Sequence, residues 1–127
     1  MPLPSLSAVD AYPVPELLVP RIMENHHRDR EFAEAIVREI KRMLLLWQII
    51  GSPCSPSVEI DDAWHEMILF TRYYFQFCNF LGTDYIHHGP GADLPAGKTP
   101  GKSLYEETLE HYERVFGIQP DPRYWTP

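Results

Sequence analysis

Cysteine is scarce: Cys54 and Cys78 are the only two in 127 residues. They can make one disulfide at most, so no disulfide framework is expected, and a reduced cytoplasmic setting suits the chain. Long hydrophobic runs are also missing. Residues 43–46, among the longest, fall far short of the roughly 20 apolar residues that span a bilayer. The start, Met1-Pro-Leu-Pro-Ser, has no basic stretch leading into an apolar one, which predicts no secretory leader. Basic residues are thin in the second half. Residues 53–127 carry five Lys/Arg against eleven Asp/Glu, while residues 1–52 carry six against seven. An acidic face is a poor partner for phosphate backbones and anionic lipid, so nucleic acid and membrane surfaces are not expected partners. No glycine-rich phosphate loop follows a strand pattern, so no nucleotide cofactor is expected either.

What is present indicates one folded domain over residues 1–127. Hydrophobic content is 44% and aromatic content 13%, enough for a real core. Five prolines at 2, 4, 13, 15 and 20 predict an extended arm over residues 1–20, with at most a short helical turn near residues 16–24. From about residue 28 to 48, Phe32, Ile36, Val37, Ile40, Met43, Leu44 and Trp47 recur at steps of three and four, the apolar stripe of a helix. A second helix is predicted over 57–81, capped by Ser57 and stopped by Gly82. A third is predicted over 103–116, where Ser103 and Glu106 have capping-box spacing. Four glycines and three prolines between residues 89 and 101 predict an irregular loop. The expected fold is all-α: a small irregular bundle of about three main helices with a proline-rich arm.

Chemistry concentrates in residues 61–90, which begin Asp-Asp-Ala-Trp-His and end Ile-His-His-Gly-Pro. Asp61 and His65 are four apart, so a helix presents both on one face about 6 Å apart. A carboxylate and an imidazole so placed form half of a divalent-metal site. Adding His87 or His88 gives two histidines and one carboxylate, a set that suits iron(II) or, with a water, zinc. Copper is less favoured; Met67 beside His65 is the only feature for it. A straight helix from His65 to Leu81 carries the chain about 24 Å away. Residues 83–88 must then run back extended, regaining up to roughly 20 Å. A rival grouping gathers Cys78, His87, His88 and His111 at the far end of the helix.

Each residue also has an ordinary structural role open to it. Asp61 can serve the helix N-terminus. His65 can be a core histidine bonded to a carbonyl, and Cys78 a small buried hydrophobe. His87 and His88, adjacent in extended chain, point opposite ways, so at most one faces the core. His26 and His27 read as solvent-facing.

Pro56-Ser57, Ile60-Asp61, Trp64-His65, Ile68-Leu69, Thr71, Tyr74, Cys78, Gly82 and His87-His88-Gly89-Pro90 resemble bacterial members of the glycine-rich-domain-protein-like family. Thr108, Tyr112, Phe116-Gly117, Pro120 and Trp125 are similar to its C-terminal pattern. The resemblance implies that Asp61, Trp64, His65, His87 and His88 belong to one pattern, and it supplies no activity. This chain departs from the pattern at Met67, where many relatives carry a second histidine, and at Phe70, where many carry an acid.

Two functional readings follow. One is a helical protein with a divalent metal at Asp61, His65, His87 and His88, a metal-dependent accessory enzyme acting on a small molecule or peptide. The other is a non-catalytic domain that binds another protein, with the His/Trp motif buried as core. If His87 or His88 joins Asp61, then Tyr85 and Ile86 must cover the second helix, and loop 89–101 lies over the site.

Overall fold

The computed structural model describes residues 2–89 and 97–127. Six helices follow one another: α1 (Leu6–Ala11), α2 (Leu18–His26), α3 (Arg30–Ile50), α4 (Val58–Ile68), α5 (Thr71–Phe80) and α6 (Leu104–Phe116). There is no strand among the described residues. The fold is all-α.

The best-marked helices form where their signals are strongest. At the start of α3, Asp29 accepts a hydrogen bond from the Phe32 amide at 2.8 Å, which satisfies one of the free donors of the first turn. Gly51 ends it at φ +71°, a left-handed cap that glycine adopts without strain. Around its middle, Ile40, Met43, Leu44, Leu45 and Leu46 are all buried. A helix buried on every side must be the centre of the bundle, and α3 packs against α1, α2, α4 and α6. Helix α6 carries the full capping box between Ser103 and Glu106.

The expected extended arm is instead two short helices. Ser5 caps α1 by accepting from the Ala8 amide at 3.1 Å. Pro13 and Pro15 fall between α1 and α2. Pro20 sits in the first turn of α2, where a missing N–H costs nothing. Val9, Leu18 and Ile22 give these helices an apolar side buried in the core.

The predicted second helix divides into two. At Phe70 the backbone turns to φ −85°, ψ 69°, and Leu69 beside it is exposed. The division has a physical reason. On a straight helix Trp64 and Tyr74 would lie about 15 Å apart, whereas the break lets the Trp64 indole N–H donate to the Tyr74 hydroxyl at 3.2 Å.

A buried polar network joins α1, α3, α6 and the C-terminal residues. Glu39, 2% exposed, accepts from the Tyr112 hydroxyl at 2.6 Å and the Trp125 indole at 2.9 Å. Arg42 grips the Asp10 carboxylate at 2.9 and 2.8 Å. That bond is the main reason the Arg42 guanidinium is held charged well above its ordinary range. The Lys41 ammonium, lowered by burial against the opposing charge of Asp10, donates to the Asp10 and Tyr12 carbonyls.

Candidate metal centre

Helix α4 sets the floor of the site. Ser57 caps it, accepting from the Ile60 amide at 3.2 Å and donating to the Tyr124 carbonyl at 2.5 Å. Asp61 and His65, one turn apart on α4, bring His65 Nε2 within 3.7 Å of Asp61 Oδ2.

The third member arrives from the chain after α5. Gly82, at φ +90°, reverses the backbone where a side chain would be strained. The Thr83 amide donates to the Cys78 carbonyl at 3.1 Å and closes that turn. Ile86 is then buried at 3% exposure, and its carbonyl accepts from the Tyr74 hydroxyl at 2.5 Å. Tyr74 thus stands between Trp64 and Ile86, fixing α4 and the returning chain with one hydroxyl. Burial at this position raises the Tyr74 phenol, so it stays a neutral donor.

Alternation along the extended segment then sorts the histidine pair. Ile86 and His88 share one side, and His87 takes the other. His88 turns inward, its side chain 16% exposed, with Nε2 at 2.5 Å from Asp61 Oδ1. Its ring meets the His65 ring at 4.3 Å between centroids and the Trp64 ring at 4.3 Å, both edge-on. His87 is exposed and lies beside the Tyr85 ring at 4.7 Å. It is not among the residues brought together.

Asp61, His65 and His88 each offer a ligand atom, and these atoms all lie within 4.8 Å of one another. Ligands about 2.1 Å from a shared ion sit roughly 3 Å apart when adjacent. The distances here bracket that value. In the absence of an ion the close His88–Asp61 contact is a charge-assisted hydrogen bond. His65 is the loose member, its side chain 55% exposed against 36% for Asp61.

The rival grouping is not assembled. Cys78 is buried in the core and its thiol is raised by that burial. His111 pairs with Arg114 at 2.6 Å. Cys54 and Cys78 are free thiols. Cys54 lines the cavity beside the site, but burial pushes its thiol up to about 12, with the Thr108 hydroxyl only partly opposing. It is therefore neither a ready nucleophile nor a thiolate ligand. His26, expected in solvent, is half-buried and bonded to Glu66 at 3.1 Å. Part of loop 89–101, residues 90–96, lies outside the described residues, and with it the covering role expected there.

A cavity of about 640 Å³ opens beside Asp61, His65 and His88, walled by Trp47, Trp64, Pro56 and Val58. Trp47 comes from α3, where it reads as one more residue of the apolar stripe; its ring meets Trp64 edge-on at 6.2 Å. Nothing in the local sequence sets it apart. Tyr74 likewise reads as an inward aromatic, and only its hydroxyl contacts reveal that it positions the site.

The fold and the site define an all-α bundle with a half-open cluster of two histidines and one aspartate beside an apolar-walled cavity. Residues 5–108 match the family model described as UCP032817-like, and the chain belongs to that family. Neither a curated protein nor a solved structure matches the chain.

Proposed function

We propose that Asp61, His65 and His88 bind one divalent metal ion, with its remaining positions open to the cavity, and that the chain is a metal-dependent accessory enzyme acting on a small molecule or peptide. The observation that carries this reading is the convergence of three donor atoms, from α4 and from the segment after α5, within 4.8 Å beside a cavity. Two imidazoles and a carboxylate suit iron(II) or zinc. Copper is disfavoured, since Met67 is fully buried in the core. A bound ion would act as a Lewis acid or lower the pKa of a bound water. The likeness of the Trp-His and His-His motifs to the glycine-rich-domain-protein-like pattern adds Asp61, His65 and His88 to one set, and the free thiols fit a cytoplasmic setting. Elemental analysis of protein purified without an affinity tag, then dialysed against zinc or anaerobic iron(II), tests the proposal. About one equivalent of metal is expected in the wild type, with a large loss in Asp61→Ala and His88→Ala and none in His87→Ala. Absence of stoichiometric metal from the wild type would overturn it.

One observation favours a second reading, a non-catalytic domain that binds another protein. His88 and Asp61 already satisfy each other at 2.5 Å without an ion, and the His88 ring packs on Trp64, as a structural histidine would. Under that reading chelators leave the melting temperature unchanged, and His88→Ala costs stability under all metal conditions.

A further inference from the structure

The cavity beside the metal cluster has walls whose chemistry narrows what it takes. Its volume of about 640 Å³ lies within the range of small-molecule sites. Trp64 is 3% exposed and held by Tyr74, so it forms a fixed edge. Trp47 stands half-buried next to it. Val58, also lining the cavity, is 73% exposed, an apolar side chain beside a polar cluster. Among the described residues, no lysine or arginine lines the cavity. A divalent ion with the Asp61 carboxylate and two neutral imidazoles leaves one net positive charge. With no basic side chain present, the ion itself must hold any anionic group of the ligand.

We infer that this site takes a planar aromatic ligand carrying one monoanionic pair of oxygen donors, which chelates the ion while its ring lies against Trp47 and Val58. The inference rests on the metal reading above and adds the ligand's class. The carboxylate and two imidazoles occupy three positions; a six-coordinate iron(II) has room left for a bidentate donor, and zinc admits one by expanding from four to five ligands. One negative charge on the donor pair neutralises the site, so little charge is buried against the tryptophan walls.

Two hydroxamates test this with the zinc-loaded full chain, because they share a chelating head and differ only in the ring. Benzohydroxamate is expected to bind at least about tenfold tighter than acetohydroxamate, from the apolar area its ring covers. Trp47→Ala should remove most of that preference. Val58→Ser, a change at an exposed position that leaves the fold intact, should lower it about threefold. Both variants should keep wild-type zinc affinity and acetohydroxamate affinity. Equal affinity for the two probes in zinc-loaded protein overturns the aromatic ligand and leaves the metal standing. Benzohydroxamate bound equally well by chelator-stripped protein overturns the chelation. A chain that takes up no zinc overturns both this inference and the reading beneath it.

Discussion

The Glu39 cluster and the Asp61 cluster both gather charged groups from distant parts of the chain, yet they are finished differently. Around Glu39 every donor has an acceptor. Tyr112 and Trp125 donate to its carboxylate, Arg42 lies 3.6 Å away, and Arg42 in turn grips Asp10. The carboxylate side chain is 3% exposed, and nothing could enter without displacing one of its own partners. Around Asp61 the bonding is incomplete. His88 holds one oxygen, His65 stands 3.7 Å from the other, and the cavity lies beside them. A satisfied buried network rigidifies and specifies a core. An unsaturated one with open space beside it has room for a ligand. The difference sets a closed structural cluster against a half-open one, and the proposed metal reading depends on that contrast.

The largest effect that can break this contrast is expected at Glu39. Glu39→Ala leaves the buried Tyr112 hydroxyl and the Trp125 indole without their acceptor and removes a carboxylate 3.6 Å from the Arg42 charge. It should cost about 3–5 kcal/mol in urea or thermal unfolding, the same with and without metal. Asp61→Ala is the counterpart. It should lower metal affinity by at least about tenfold while changing the stability of metal-free protein by only about 1 kcal/mol, as for a partly exposed pair. If instead Asp61→Ala unfolds the metal-free chain as Glu39→Ala does, the two clusters are of one kind.

Tyr74→Phe lies between them. It removes the acceptor for Trp64 and the donor to Ile86. A cost of about 1–3 kcal/mol is expected from the two groups left unpaired, together with a several-fold loss of metal affinity as His88 loosens. Wild-type metal affinity in a destabilised Tyr74→Phe protein would show that the hydroxyl does not position the site.

The smallest effect is a pH effect at Glu66. Burial raises this carboxyl, but hydrogen bonds from Asn25, His26 and Arg21 outweigh it and hold it below its ordinary value of 4.5. A depressed folded value contributes stability above the unfolded value, and that contribution is lost as pH falls through the folded one. The stability gap between wild type and Glu66→Gln should therefore close progressively as pH falls below about 4.5 in urea titrations. A gap that widens on acidification would reverse the sign.

The same two clusters show what was legible in the sequence. Asp61 and His65 are readable because four-residue spacing on a helix fixes their relation before any tertiary contact is known. Helices α3 and α6 are readable within about two residues of their ends, because Ser103, Gly51 and Gly117 act locally. The break at Phe70 is not readable, since the apolar periodicity runs on through it and only the Trp64–Tyr74 contact requires it. The choice of His88 over His87 depends on which side Ile86 is buried, a matter of parity along the extended segment. Glu39 looks like any helix-face charge. Its partners Tyr112 and Trp125 lie 73 and 86 residues away, and no local pattern announces them. The proline-rich start misleads because prolines at 13 and 15 separate two helices as readily as they extend an arm.

Counting the histidines on the ion tests the proposed metal site at its root. Cobalt(II) is loaded into the tag-free protein, and the exchangeable, paramagnetically shifted ring N–H resonances are recorded by proton NMR. Two such signals are expected in the wild type, one in His65→Ala, one in His88→Ala and two in His87→Ala. A wild-type spectrum without shifted imidazole signals, or one unchanged by both His65→Ala and His88→Ala, would contradict it.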